Sequence, residues 1–313
     1  MKKKIVFLDR STFPKGIIFP KVTFNHVWRN YNFTEDSEVK NRIKQANIIV
    51  TNKVNLNEYN LNVAKNLELI AITATGTNII DLDYCKASNI SVCNLRNYSS
   101  DSVAEHVLTL MLNLSKNIKG LEKDINLKLW QKRKVFALLS REINDLGGKT
   151  LGIIGKGSIG LKVGRLAKAF GMKVNYFSVR NYKKKDFMNF ISSLDYLSIH
   201  CPLNSNTKDL IAIKELKFMK KNLILINTAR GGIVNEIDLA KALKQKIIAG
   251  AGIDVTTEEP PNPSHAYYNI LNETNFIWTP HTAWASQETL QGAINQLIEN
   301  INSFYKGKKR NIV

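Results

Sequence analysis

Three short segments carry residues able to move a proton or hold an anion. INTARGG places Arg230 just past an apolar run, Leu223 to Asn227. GIDVTTEEP places Asp254 at the end of a second run and Glu259 in the loop that follows. WTPHTAWAS places His281 just past a third run, Phe276 to Trp278. In an open α/β sheet ligands bind beyond the carboxyl ends of the strands, so a guanidinium, a carboxylate and an imidazole can converge on one crevice. The arginine can bind a substrate carboxylate and polarise a carbonyl. A histidine beside a glutamate favours its protonated form and can protonate a forming alkoxide. Singly, a loop His or Glu is more often a surface residue; the shared position at strand ends is what gives the three their meaning. The set suits hydride transfer to a 2-oxo acid, given a hydride donor.

The donor's site is legible in KTLGIIGKGSIG. Gly155, Gly157 and Gly160 form G-x-G-x-x-G after an apolar strand, with a helix expected from Ser158 to Phe170. In that setting the first glycine allows the tight turn, the second lets the backbone approach a pyrophosphate, and the third lets helix and strand pack closely. The free N–H groups at the helix start favour phosphate. The next strand leads into VNYFSVRNYKKK, Val174 to Lys185. A carboxylate at the end of such a strand would bind the ribose 2′-hydroxyl and repel a 2′-phosphate. Ser178 stands there instead, with Arg180, Asn181 and Lys183 close behind. A hydroxyl and a guanidinium suit a phosphate, so NADP(H) is expected over NAD(H), with NAD(H) still usable.

Two series of alternating strands and helices must position these groups. Lys4 to Leu8, Ala46 to Val50, Leu67 to Thr73 and Ile90 to Leu95 read as strands, Asp36 to Gln45 and Leu56 to Asn66 as helices. A long helix follows, with Asp101 or Ser102 as its cap. The second series has strands at Thr150 to Ile154, Lys173 to Phe177, Tyr196 to His200, Leu223 to Asn227, Ile248 to Val255 and Phe276 to Trp278. A last helix, about Ser286 to Tyr305, is too short for a domain and returns to the first. The pattern predicts an α/β protein with two parallel-sheet domains, the second inserted into the first. The expected boundaries are 1–99 with 283–313, and 100–282.

Composition narrows the classes further. The formal net charge of +19 invites a nucleic-acid reading. The lysines are scattered, however, and aromatics do not alternate with their small clusters as on a stacking platform. A bias toward Lys and Asn explains the charge, and no nucleic-acid partner is expected. Cys85, Cys93 and Cys201 fit neither a disulfide framework nor a zinc site, so reduced cytoplasmic thiols and no metal are expected. The apolar run in MKKKIVFLDR stops at Asp9, short of an export segment. No stretch approaches the roughly 20 apolar residues of a membrane span.

These motifs together resemble the D-2-hydroxyacid dehydrogenase family over nearly the whole chain. ATGTNIIDLD (Ala74 to Asp83), YSSDSVAEHVLTLML from Tyr98, KTLGIIGKGSIG, HCPLNSNT, INTARGG, GIDVTTEEP and TPHTAWAS occur in the family's order. The resemblance implies a flavodoxin-like substrate domain from both chain ends, an inserted Rossmann domain, a homodimer, and reduction of a 2-oxo acid to the D-hydroxy acid. It implies Arg230, Glu259 and His281 as the catalytic trio and the backbone of Thr75 and Gly76 as the substrate-carboxylate loop. Lys156, Gly157, Ser158 and Ile159 match the pyrophosphate turn; Cys201, Pro202, Thr207, Thr228, Ala229 and Asp254 match cofactor contacts. The chain is most similar to the glyoxylate and hydroxypyruvate reductase (glycerate dehydrogenase) branch, where a small polar residue followed by Arg accompanies NADPH use. Formate dehydrogenases of the superfamily carry Gln where Glu259 stands. The alternatives are an NADH-linked D-lactate or branched 2-oxo acid dehydrogenase and, in another class, a dinucleotide-sensing scaffold or corepressor. An intact trio speaks against the latter, because a sensor needs no proton donor. Trp130 and Trp284 are candidate pocket walls.

Overall fold

A computed structural model describes residues 2–180 and 183–313. In chain order the elements are β1 (Lys3–Phe7), β2 (His26–Asn30), α1 (Asp36–Ile43), β3 (Ile48–Thr51), α2 (Glu58–Leu61), β4 (Leu69–Ile72), α3 (Leu82–Ala87), β5 (Ser91–Cys93), α4 (Ser100–Ser115) and α5 (Ile118–Asn126). There follow β6 (Thr150–Ile154), α6 (Ser158–Ala169), β7 (Lys173–Phe177), α7 (Lys184–Ser192), β8 (Tyr196–Ile199), α8 (Ile213–Phe218), β9 (Ile224–Asn227), α9 (Glu236–Lys244), β10 (Gly250–Ile253), β11 (Phe276–Trp278) and α10 (Gln287–Tyr305). Two compact units result: residues up to Tyr98 together with Ser286–Val313, and Ser99–Ala285.

The first unit holds a parallel sheet in the order β2-β1-β3-β4-β5. β3 and β4 are buried along their whole length, which is why they are continuous apolar runs rather than alternating ones. α10 starts where Ser286 Oγ accepts the amide of Thr289 at 3.2 Å. It is bound to the strand region by Asn300, whose side-chain amide donates to Asn94 O at 3.0 Å. The helix expected over Leu56 to Asn66 is only α2. Leu56 bridges Ile80 instead, and Asn57 caps α2 by accepting the Asn60 amide at 3.3 Å. At the end of β1 the buried carboxylate of Asp9 accepts the amides of Asn52 and Lys53 at 2.7–3.0 Å.

The second unit holds six parallel strands in the order β11-β10-β9-β8-β6-β7. One core lies under α4 and α6, with Leu110, Val163, Ile153 and Ile226; the other lies under α7 to α9, with Ile191, Leu216, Leu239 and Ile253. β7 and β8 lie on opposite sides of β6, so the connection from β7 to β8 reverses the winding. The crevice beyond the carboxyl ends of β6 and β8 is the topological switch point.

The junctions fall between Tyr98 and Ser99 and between Ala285 and Ser286, one and three residues from the expected positions. Asp254 accounts for the second shift, because its carboxylate accepts the amides of Thr282 and Ala283, both at 2.9 Å. Ser102, expected as a cap, instead donates its hydroxyl to Ala283 O at 2.7 Å; α4 starts earlier, with Ser99 as its cap residue and no side-chain cap bond. Among the described residues no helix is long and apolar enough to cross a membrane, and no group of three His, Cys, Asp or Glu could hold a metal ion.

Candidate active site

The glycine-rich turn leaves β6 at Ile154 and passes directly against the end of β8. Gly155 has φ +103°, and a Cβ there would stand 2.4 Å from the carbonyl oxygen of His200; only glycine fits. A Cβ at Gly160 would stand 2.3 Å from Gly155 O, so α6 starts against the turn. At Gly157, the cap residue of α6, a Cβ would meet nothing within 4 Å, and no side chain caps the helix. The first-turn N–H groups at Ser158, Ile159 and Gly160 lack an intrahelical acceptor, and the space beside Gly157 is open, which fits a pyrophosphate. Thr228, just past β9, has a buried hydroxyl with no hydrogen-bond partner among the described residues. A buried orphan hydroxyl fits an absent polar ligand.

Around this turn the other sequence candidates take distinct places. Cys201 follows β8, and burial pushes its thiol up to about 11, which disfavours the thiolate that a nucleophile needs. Thr207 donates its hydroxyl to Pro202 O at 2.7 Å and accepts the Asn204 amide at 2.8 Å. Its side chain thus holds the loop's shape. Ser178 and Arg180 are exposed past β7, where Ser178 Oγ accepts the Arg180 amide at 3.4 Å. Asn181 lies outside the described residues. The lysine cluster divides: Lys184 and Lys185 enter α7, and Lys184 faces Glu215 at 3.5 Å.

Arg230 sits in a turn held by Asn227. The buried Asn227 side chain accepts the Ala229 amide at 3.0 Å and donates to Arg230 O at 2.9 Å. The exposed guanidinium donates to Ala229 O at 2.7 Å. Gly231 then presses on the next loop, where a Cβ would fall 1.9 Å from the carbonyl carbon of Thr256. The arginine loop and the glutamate loop touch backbone to backbone.

Glu259 and His281 are paired. Nδ1 of His281 donates to Oε2 of Glu259 at 2.6 Å, and Oε1 of Glu259 accepts the Thr256 amide at 3.1 Å. His281 occupies the left-handed region at φ +54°, a conformation that persists only where its surroundings enforce it. Here the His281 amide donates to Asp254 O at 2.8 Å, and the Trp284 indole donates to His281 O at 3.0 Å. The Asp254 carboxylate accepts Thr279 Oγ1 at 2.5 Å as well as the two amides of the following turn. Asp254 and Trp284, expected as a cofactor contact and a pocket wall, therefore fasten the histidine loop. His106, which the sequence did not single out, stands behind them with Nε2 3.0 Å from Thr279 Oγ1 and 3.8 Å from Asp254. Burial holds its imidazole below the usual range. Trp130 is half-exposed and donates to Phe136 O at 3.0 Å.

In the first unit the loop after β4 carries Thr75 and Gly76, and the Asn94 side chain pins it by donating to Thr75 O at 2.7 Å.

A doubly wound nucleotide-binding fold, an anion-ready glycine turn and a His–Glu pair define a dinucleotide-dependent oxidoreductase. The chain belongs to the D-isomer-specific 2-hydroxyacid dehydrogenase family, whose NAD-binding-domain model matches residues 108–283. It is 40% identical to the glycerate dehydrogenase of Methylorubrum extorquens, covering 100% of this chain and 99% of the relative. It is 33% identical to the glyoxylate reductase of Thermococcus litoralis, covering 98% and 95%. The solved TT0316 protein of Thermus thermophilus superposes with a TM-score of 0.85 at 26% identity, covering 99% of each chain. The chain is accordingly an NAD(P)-dependent D-2-hydroxyacid dehydrogenase.

Proposed function

We propose that the protein reduces glyoxylate or hydroxypyruvate to the D-2-hydroxy acid with NADPH. The single observation that carries this reading is the His281–Glu259 pair on the carboxyl edge of a sheet that also bears the glycine turn. When bound, the nicotinamide supplies the hydride to the 2-oxo carbon. His281 uses Nδ1 to hold Glu259, which leaves Nε2–H to protonate the forming alkoxide. Glu259 fixes the orientation of the ring through that hydrogen bond. Arg230 takes the substrate carboxylate and polarises the carbonyl; the backbone N–H groups of Thr75 and Gly76 are assigned to substrate binding by the family resemblance. The turn from Gly155 to Gly160, with Cys201, Pro202, Thr228 and Ala229, cradles the dinucleotide, and Thr207 and Asp254 shape that cradle. Ser178 and Arg180 are assigned to the 2′-phosphate, supported by the absence of any carboxylate from position 178 to 180.

The proposed assembly is a homodimer. Trp130, Val135, Phe136 and Leu139 are large apolar residues exposed within one short segment, Phe136 to 93%, and a patch of that kind is ordinarily covered by a partner. The three buried free thiols suit a cytoplasmic setting.

The test is the product. Hydroxypyruvate incubated with the enzyme and NADPH should give D-glycerate, with roughly one NADPH consumed per product. L-glycerate, or no consumption of any small 2-oxo acid with either cofactor, would overturn the reading.

A further inference from the structure

A second His–Glu pair lies in the same unit. Nε2 of His265 donates to Oε2 of Glu236 at 2.7 Å, with the side chains only 11% and 13% exposed. Nδ1 of His265 accepts the Tyr267 amide at 3.3 Å, so the neutral Nε2–H tautomer satisfies both ring nitrogens. Glu236 is the first residue of α9, where negative charge is favoured.

Each member reaches a loop that carries a reacting group. Oε1 of Glu236 accepts both the amide and the hydroxyl of Thr257, at 2.7 and 2.9 Å. Thr257 lies between Thr256, whose amide holds Glu259, and Glu259 itself. The His265 ring stacks on Trp278, centroids 5.7 Å apart and planes at 27°. Trp278 ends β11, three residues before His281. Glu236 also closes the segment that begins with Arg230. One largely enclosed pair thus joins the roots of the Glu259 and His281 loops.

We propose that Glu236 and His265 are positioning residues that hold the Glu259 carboxylate against His281. The inference rests on the reading of His281 as proton donor. It needs no contact between this pair and substrate or cofactor.

The test compares wild type with Glu236→Ala, Glu236→Gln and His265→Gln. Steady-state reduction of hydroxypyruvate is followed from about pH 5.5 to 9, and NADPH binding by fluorescence. With Glu236→Ala, kcat should fall about 10-fold or more, with NADPH affinity within about twofold. The pH profile of kcat/KM should differ from that of wild type, because the Glu259 carboxylate is no longer held against His281. Glu236→Gln keeps an acceptor for Thr257 and should recover part of the loss. An unchanged pH profile, with only less folded enzyme or weaker NADPH binding, would reduce the pair to a structural role and overturn the proposal. Should wild type turn over no 2-oxo acid, the functional reading fails separately. The histidine ring titrations by NMR, assigned with His281→Asn, then decide: a displaced His281 titration in Glu236→Ala keeps the clamp, and an unmoved one removes it.

Discussion

Nδ1 of His281 donates a 2.6 Å hydrogen bond to Oε2 of Glu259 across 22 residues of chain. The two stand on loops after different strands, each tied down separately: one through Thr256 and Thr257, the other through Asp254 and Trp284. A charge pair at this distance is useful for acid catalysis only if it is preorganised, and the surrounding bonds supply that.

Glu259→Gln should lower kcat for reduction about 10²-fold and alter the pH profile of kcat/KM. Reduction needs a proton on Nε2 of His281, and Glu259 orients the ring for it through Nδ1. His281→Asn should cost about 10³-fold with NADPH binding retained. A pH–rate profile of Glu259→Gln superposable on wild type would refute the pairing's role.

Cofactor choice should follow Ser178 and Arg180. Exchanging them as Ser178→Asp with Arg180→Ala should shift the ratio of kcat/KM for NADPH and NADH toward NADH by about 10- to 100-fold. Fluorescence titration with both cofactors checks whether the shift lies in binding.

Gly155→Ala should be severe. Its Cβ would lie 2.4 Å from His200 O at a backbone φ of +103°. Loss of about 2 kcal/mol or more in urea unfolding, with NADPH binding abolished, is expected. A variant as stable as wild type would show that the turn can open away from β8.

Stability should fall with acid partly through His200. Its Nε2 lies 2.7 Å from Ser198 Oγ, and burial pushes the imidazole from 6.5 down to about 3. The unfolded chain binds this proton more tightly than the folded one. The contribution is therefore complete above about pH 6.5 and lost as pH falls toward 3, on the order of 2 kcal/mol by pH 5. The difference between unfolding free energies at pH 7 and pH 5 should be smaller for His200→Gln than for wild type. Equal differences would exclude the group.

Much of this was legible from local pattern. β6, β7 and β11 have the expected bounds because apolar runs ending in Gly, Ser or Thr–Pro mark them. β2 was not foreseen: HVWRN is an edge strand with only partial burial and no apolar run. α5 was missed because Asn117, in the left-handed region at φ +52°, breaks one long helical pattern into two. The trio could be named because its members follow strands. The Glu236–His265 pair could not, because 29 residues separate its members and neither belongs to a motif of known spacing. Thr207 and Asp254 show a related limit: a motif marks a residue as needed near a site, but only geometry shows that Thr207 bonds its own loop and Asp254 the loop of His281.

The apolar segment offers a separate check. Phe136→Asp with Leu139→Asp should convert a dimer to a monomer in sedimentation at about micromolar concentration. A wild-type monomer would leave that patch to another partner.

The most direct measurement is the initial rate of glyoxylate and hydroxypyruvate reduction with NADPH and, separately, NADH, for wild type and His281→Asn. The expected result is rapid turnover of at least one substrate, clearly faster with NADPH, and a collapse of about 10³-fold in the variant. Turnover faster with NADH would contradict the 2′-phosphate assignment to Ser178 and Arg180, and a fully active His281→Asn would contradict the proton donor on which the proposed reaction depends.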